Sequence, residues 1–79
     1  MKLSEAVAKR MKELLFQNKV SQYKLVQETG LNRTTIQSLI KGRTPDVKLS
    51  TVLLIANFFN MSLSEFLNDN IFEYQNIDV

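Results

Sequence analysis

Between Ser21 and Arg43 the chain reads SQYKLVQETGLNRTTIQSLIKGR, and this stretch leaves the rest of the molecule little freedom. It spells two short helices with a tight corner between them. Ser21 is a natural N-cap, because its hydroxyl accepts from an orphan backbone N–H of the first turn. Gln22 opens the first helix, with Leu25 and Val26 expected inward and Tyr23 partly so. Thr29 and Gly30 end it. A residue without a Cβ takes the left-handed conformation that closes a helix and begins a sharp turn. Leu31 follows as a buried turn residue, Asn32 is the next N-cap, and Arg33 starts the second helix. Ile36, Leu39 and Ile40 then recur at i, i+3 and i+4, which makes one apolar stripe. Gly42 stops that helix, flanked by Lys41 and Arg43.

The opposite face of the second helix carries Arg33, Thr34, Gln37, Ser38 and Lys41. A polar helix face is, by itself, most often solvated surface. This one has no acidic residue between Arg33 and Arg43, and it is rich in short hydrogen-bonding side chains. Those are donors and acceptors suited to base edges and phosphates. Two helices at this spacing make a helix-turn-helix, a unit that lays its second helix in the major groove of DNA.

The stretch resembles the helix-turn-helix of phage repressors and Cro, the Xre-like family. The likeness is close over residues 21–43 and looser from Leu3 to Leu67. It rests on Ser21-Gln22, Leu25, Thr29-Gly30-Leu31, Ile36, Leu39, Gly42, Thr51, Ile55-Ala56 and Ser62-Leu63-Ser64-Glu65-Phe66-Leu67. The resemblance implies an all-α, five-helix domain with the helix-turn-helix at its second and third helices. It implies base contacts from Arg33, Thr34 and Ser38, with Gln37 beside them. It implies phosphate contacts from Gln22 at the start of the first motif helix, from Asn32 and Lys41 at the two ends of the recognition helix, and from Arg43 and Thr44 in the loop beyond. The chemistry of the side chains agrees: Arg33 can donate two bonds to guanine O6 and N7, and Thr34 can touch a thymine methyl. A helix N-terminus favours phosphate through its unpaired N–H groups and dipole. The family usually has a small residue where this chain has Val26, so a slightly altered crossing of the two helices is expected.

The 79 residues suffice for one small domain with a single core, without room for a catalytic or effector-binding domain beside it. Cysteine and histidine are both absent, which removes disulfides, thiolate metal sites, and the usual general base and imidazole ligand. No glycine-rich phosphate loop occurs, and no enzyme, metal, cofactor or small-molecule ligand is expected. The longest apolar run, Val52 to Ala56, is far too short to span a bilayer, and no signal peptide is visible; a cytoplasmic location is expected. Charge is unevenly placed. Residues 1–48 hold all ten Lys and Arg against four acidic residues, a net +6, whereas residues 49–79 hold four acidic residues and no base, a net −4. A polyanion is attracted to the first part and repelled by the second.

Around the motif, a first helix is expected from Ser4 to about Asn18, with Leu3, Val7, Met11, Leu14 and Leu15 as its stripe and Ala6 and Ala8 helping. Its Lys2, Lys9, Arg10 and Lys12 read either as phosphate contacts, for some of them, or as a solvated face with i,i+4 pairs such as Glu5–Lys9, and the second reading is favoured for most. Val20 is expected to staple the start of the next helix. Thr44-Pro45-Asp46-Val47 is a loop, since proline ends the helix before it. A fourth helix, from about Lys48 to Phe59, is apolar nearly all round and so expected to be buried on more than one side, as the floor of the core with its excess apolar surface toward a partner subunit. Ser62-Leu63-Ser64-Glu65 is a capping box for a fifth helix ending near Asn68, with Leu63, Phe66 and Leu67 expected buried.

This gives a DNA-binding domain over 1–69 and a tail over 70–79. Ile71, Phe72, Tyr74, Ile77 and Val79 make the tail too apolar for a loose end, so it either packs back on its own domain or joins a second copy. Phe58, Phe66, Phe72 and Tyr74 are the expected homodimer contacts. The leading reading is a dimeric regulator of the repressor type that the resemblance implies, reading a pseudo-palindromic operator in double-stranded DNA. The rival is a protein-interaction module, such as an antitoxin whose tail sheathes a partner.

Overall fold

A computed structural model describes residues 1–78. Its order is α1 (Leu3–Asn18), α2 (Gln22–Thr29), α3 (Arg33–Ile40), α4 (Leu49–Phe58), α5 (Leu63–Leu67), then two 3-10 turns at Asn70–Phe72 and Tyr74–Asn76. Among the described residues there is no strand; a lone parallel bridge joins Lys2 to Asp78.

Each helix starts and stops for an identifiable reason. The Ser21 hydroxyl accepts from Lys24 N–H at 3.2 Å, and the Asn32 side-chain oxygen accepts from Thr35 N–H at 2.7 Å. At α5 the capping box is complete: Glu65 N–H donates to the Ser62 hydroxyl, and the Glu65 carboxylate accepts from Ser62 N–H. The helix α1 begins one residue earlier than Ser4, without a capping side chain from Ser or Thr. Lys2 precedes it, and the Glu5 carboxylate reaches back to Lys2 N–H at 2.7 Å. Three helices end on the same device, in which a left-handed residue lets the chain fold its last amides onto the final carbonyls. After α3, Gly42 at φ 67° donates to Leu39 O and Arg43 N–H donates to Ser38 O. After α1 and α4, Lys19 and Asn60 take the same left-handed role at φ 54° and 59°.

The core is one cluster drawn from every helix: Val7, Met11, Leu14 and Leu15 of α1, Leu25 of α2, Ile36, Leu39 and Ile40 of α3, Val52, Ile55 and Ala56 of α4, and Phe66 of α5. Val20, Val26 and Leu31 pack against it half-buried, so a valine fits at the crossing of α2 and α3. Two expectations fail at the surface. Leu3 is half exposed, and Ser4 takes the buried place at the start of α1. Tyr23 lies outward, 60% exposed, with its hydroxyl accepting from Gln27 Nε2 at 2.8 Å. The helix α4 has apolar surface beyond what its own core covers: Leu49, Leu53 and Leu54 are 64%, 50% and 44% exposed.

The tail packs back on its own chain. Asp78 N–H donates to Met1 O at 2.8 Å, which is the bridge noted above, and the Phe72 ring lies 6.4 Å from that of Phe66. Arg10 locks the same corner. Its Nε donates to Phe66 O at 2.8 Å and its Nη2 to Glu65 O at 3.1 Å, with Asp69 at 3.7 Å. A cation at the C-terminal end of a helix satisfies carbonyls that the helix leaves free. Arg10 is therefore a structural clamp, not part of a solvated face. Phe66 is fully buried beneath it, so it cannot be a dimer contact as expected: its ring fills the core of its own domain.

Candidate nucleic-acid interface

The recognition face is built by α3, a helix of eight residues spanning about 12 Å. Ile36, Leu39 and Ile40 face the core, and this fixes where the other positions point. Arg33, Gln37 and Lys41 follow one another at i, i+4; Thr34 and Ser38 form the adjacent row. Arg33, Thr34, Gln37 and Lys41 are exposed, and Ser38 is half-buried. The five side chains share one outward surface without a carboxylate on it.

The expected backbone contacts border this surface. Gln22 is exposed as the first residue of α2. Asn32 is exposed as well, but its oxygen is committed to the α3 cap, which leaves its amide N–H groups to donate. Arg43 is exposed just past the turn at Gly42. Thr44 is half-buried and lines a hollow of about 290 Å³ with Thr35, Lys48 and Thr51, between α3 and the start of α4. Thr44 is thus the most withdrawn of the set.

The two glycines position these groups differently. Gly30, at φ 77°, has open space where a Cβ would stand, so backbone conformation alone requires it. Gly42 also sits against α1, where a Cβ would come within 3.4 Å of the Glu5 Cα. The end of the recognition helix is consequently seated on α1. Sequence reasoning set phosphate contact by Lys9 and Lys12 second and did not foresee what this seat brings together: the two line a hollow of about 310 Å³ with Lys41. The solvated-face reading rests on pairs such as Glu5–Lys9. Glu5 instead turns to Lys2 N–H.

The family model for the Cro/C1-type helix-turn-helix DNA-binding domain matches residues 10–70. The chain belongs to the Cro/C1-type helix-turn-helix family. Membership places it among DNA-binding proteins, not enzymes. The crystal structure of the prophage Lp1 protein 11 is similar over 92% of this chain and 97% of that chain, with a TM-score of 0.81 and 22% identity. At that identity the likeness establishes a shared all-α fold. No curated protein matches the chain. Among the described residues of this Cro/C1-type protein, no helix is long and apolar enough to cross a membrane.

Proposed function

We propose that this Cro/C1-type protein is a cytoplasmic transcriptional regulator, a repressor, that binds a pseudo-palindromic operator as a homodimer. The observation that carries the reading is the outward face of α3, five polar residues without an acid, held by a buried stripe on the other side. Arg33, Thr34, Gln37 and Ser38 read base edges in the major groove. Gln22, Asn32, Lys41, Arg43 and Thr44 hold the phosphates on either side. Two-fold symmetry then sets the paired recognition helices about 34 Å apart, one duplex turn.

The uncovered leucines of α4, with Phe58, Phe72 and Tyr74, supply the dimer surface. From Leu49 to Ser64 the chain has no charged residue, so two copies of this face meet without repulsion. The rival partner-sheathing role finds less support, because the tail is engaged with Met1 and Lys2 of its own chain.

Selection from random duplex DNA tests the reading. It expects enrichment of a palindrome with half-sites about one turn apart, bound less tightly as salt rises. Equal, weak binding to every duplex would overturn the sequence-specific role.

A further inference from the structure

The outer face of α1 differs from an ordinary solvated helix face in how its charges are used. Arg10 is consumed by the carbonyls of α5 and by Asp69, and Lys24 of α2 pairs with Glu28 at 3.8 Å. Lys9, Lys12 and Lys41 make no ion pair among the described residues, although Glu5 lines the same hollow. The Glu5 carboxylate is held by the Lys2 backbone at 2.7 Å. Lys9 and Lys12 lie three apart on one helix face, where like charges repel. Three ammonium groups without an ion pair among the described residues therefore border one shallow groove, against the single carboxylate of Glu5.

The position of that groove gives it a meaning. Gly42 rests on α1 between Glu5 and Ala8, so the C-terminal end of α3 opens directly onto Lys9 and Lys12. The neighbouring hollow, beyond Gly42, holds Lys2 and Arg43 but also Asp46 and Asp78. The Lys9–Lys12–Lys41 groove thus has one carboxylate on its edge, against two in the neighbouring hollow.

We propose that Lys9 and Lys12, acting with Lys41, form a second phosphodiester-binding strip that grips the DNA backbone outside the base pairs read by α3. The proposal rests on the DNA-reading role assigned to α3. It adds to that role a contact from a helix outside the helix-turn-helix. Because lysine meets phosphate as a mobile point charge, the strip adds affinity without sequence preference.

The test compares wild type with Lys9→Gln/Lys12→Gln on two duplexes. One is trimmed to the operator found by selection, and the other carries the same operator with added flanking base pairs. Both side chains are exposed, so the denaturation midpoint is expected to stay unchanged. On the long duplex the double variant is expected to bind more weakly and to lose about 1.8 from the slope of log K against log salt, for two phosphate contacts. On the trimmed duplex it matches wild type, and the preferred base sequence is the same. An unchanged slope on the long duplex overturns the strip, and so does an equal loss on both duplexes, which would mark a diffuse field effect. If wild type selects no operator, the reading of α3 fails instead. The slope on a long mixed-sequence duplex then still decides whether Lys9 and Lys12 touch phosphate.

Discussion

Helices α3 and α4 bury the same pattern and expose opposite chemistry. Ile36, Leu39 and Ile40 in one, and Val52, Ile55 and Ala56 in the other, fall at i, i+3 and i+4 and are all buried. Outward, α3 shows Arg33, Thr34 and Gln37, while α4 shows Leu49, Leu53 and Leu54. The inner triplet is what folding requires of each helix. The outer residues are released from that demand, and they record what each helix meets.

The comparison breaks most readily at its shared part. Ile36→Ala and Ile55→Ala, both at fully buried positions, are expected to cost about 2–5 kcal/mol each by denaturant unfolding, since each leaves a cavity in the same core. A loss below about 1 kcal/mol at either site would show that the two stripes are not equivalent.

The outer residues come next and should separate cleanly. Arg33→Ala is expected to weaken operator binding by about 1–3 kcal/mol and to relax preference at one base pair, with folding intact. An unchanged operator preference would mean that α3 sits in another register on DNA. Leu53→Asp, at a half-exposed position, is expected to leave the fold intact but shift the protein to monomer in sedimentation. A variant that still sediments as a dimer would remove α4 from the interface.

The smallest effect concerns α5, the element that supports α4 from one end. The Ser62 backbone N–H, and after it the Ser62 hydroxyl, hold the Glu65 carboxyl below its ordinary value. A lowered value stabilises the fold above the unfolded carboxyl's value, and that contribution disappears as pH falls through the folded one. Glu65→Gln keeps a side chain able to complete the cap. Its stability is therefore expected to depend less on pH across the carboxylate range, with the two proteins converging in acid. Parallel curves would show that the cap's charge contributes nothing.

Much of this was legible because it is local. Ser21, Asn32 and the Ser62–Glu65 pair cap within three residues, and the core stripes of α1 and α3 repeat within a turn. What escaped was long-range or lay in too short a window. Phe66 reads as buried in α5 and also as a dimer contact; a helix of five residues shows too little period to choose between the two, and the burial is complete. Arg10 finds its carbonyl acceptors 55 and 56 residues away, so no neighbouring residue announced its withdrawal from the charged face. The return of the tail to Met1 depends likewise on contacts across the whole chain. For the interface, the α3 face was readable from spacing, but its junction with Lys9 and Lys12 required knowing that Gly42 sits on α1.

The three matching helix ends carry an evolutionary consequence. Only the one after α3 uses glycine; those after α1 and α4 hold Lys19 and Asn60 in a conformation that penalises a side chain, lysine more than asparagine. The domain thus keeps a reserve of stability that it has not drawn on. Replacement of Lys19 by glycine would relieve that conformation at an exposed position. A lineage that needs to absorb a destabilising change on its recognition face has a compensating step open to it.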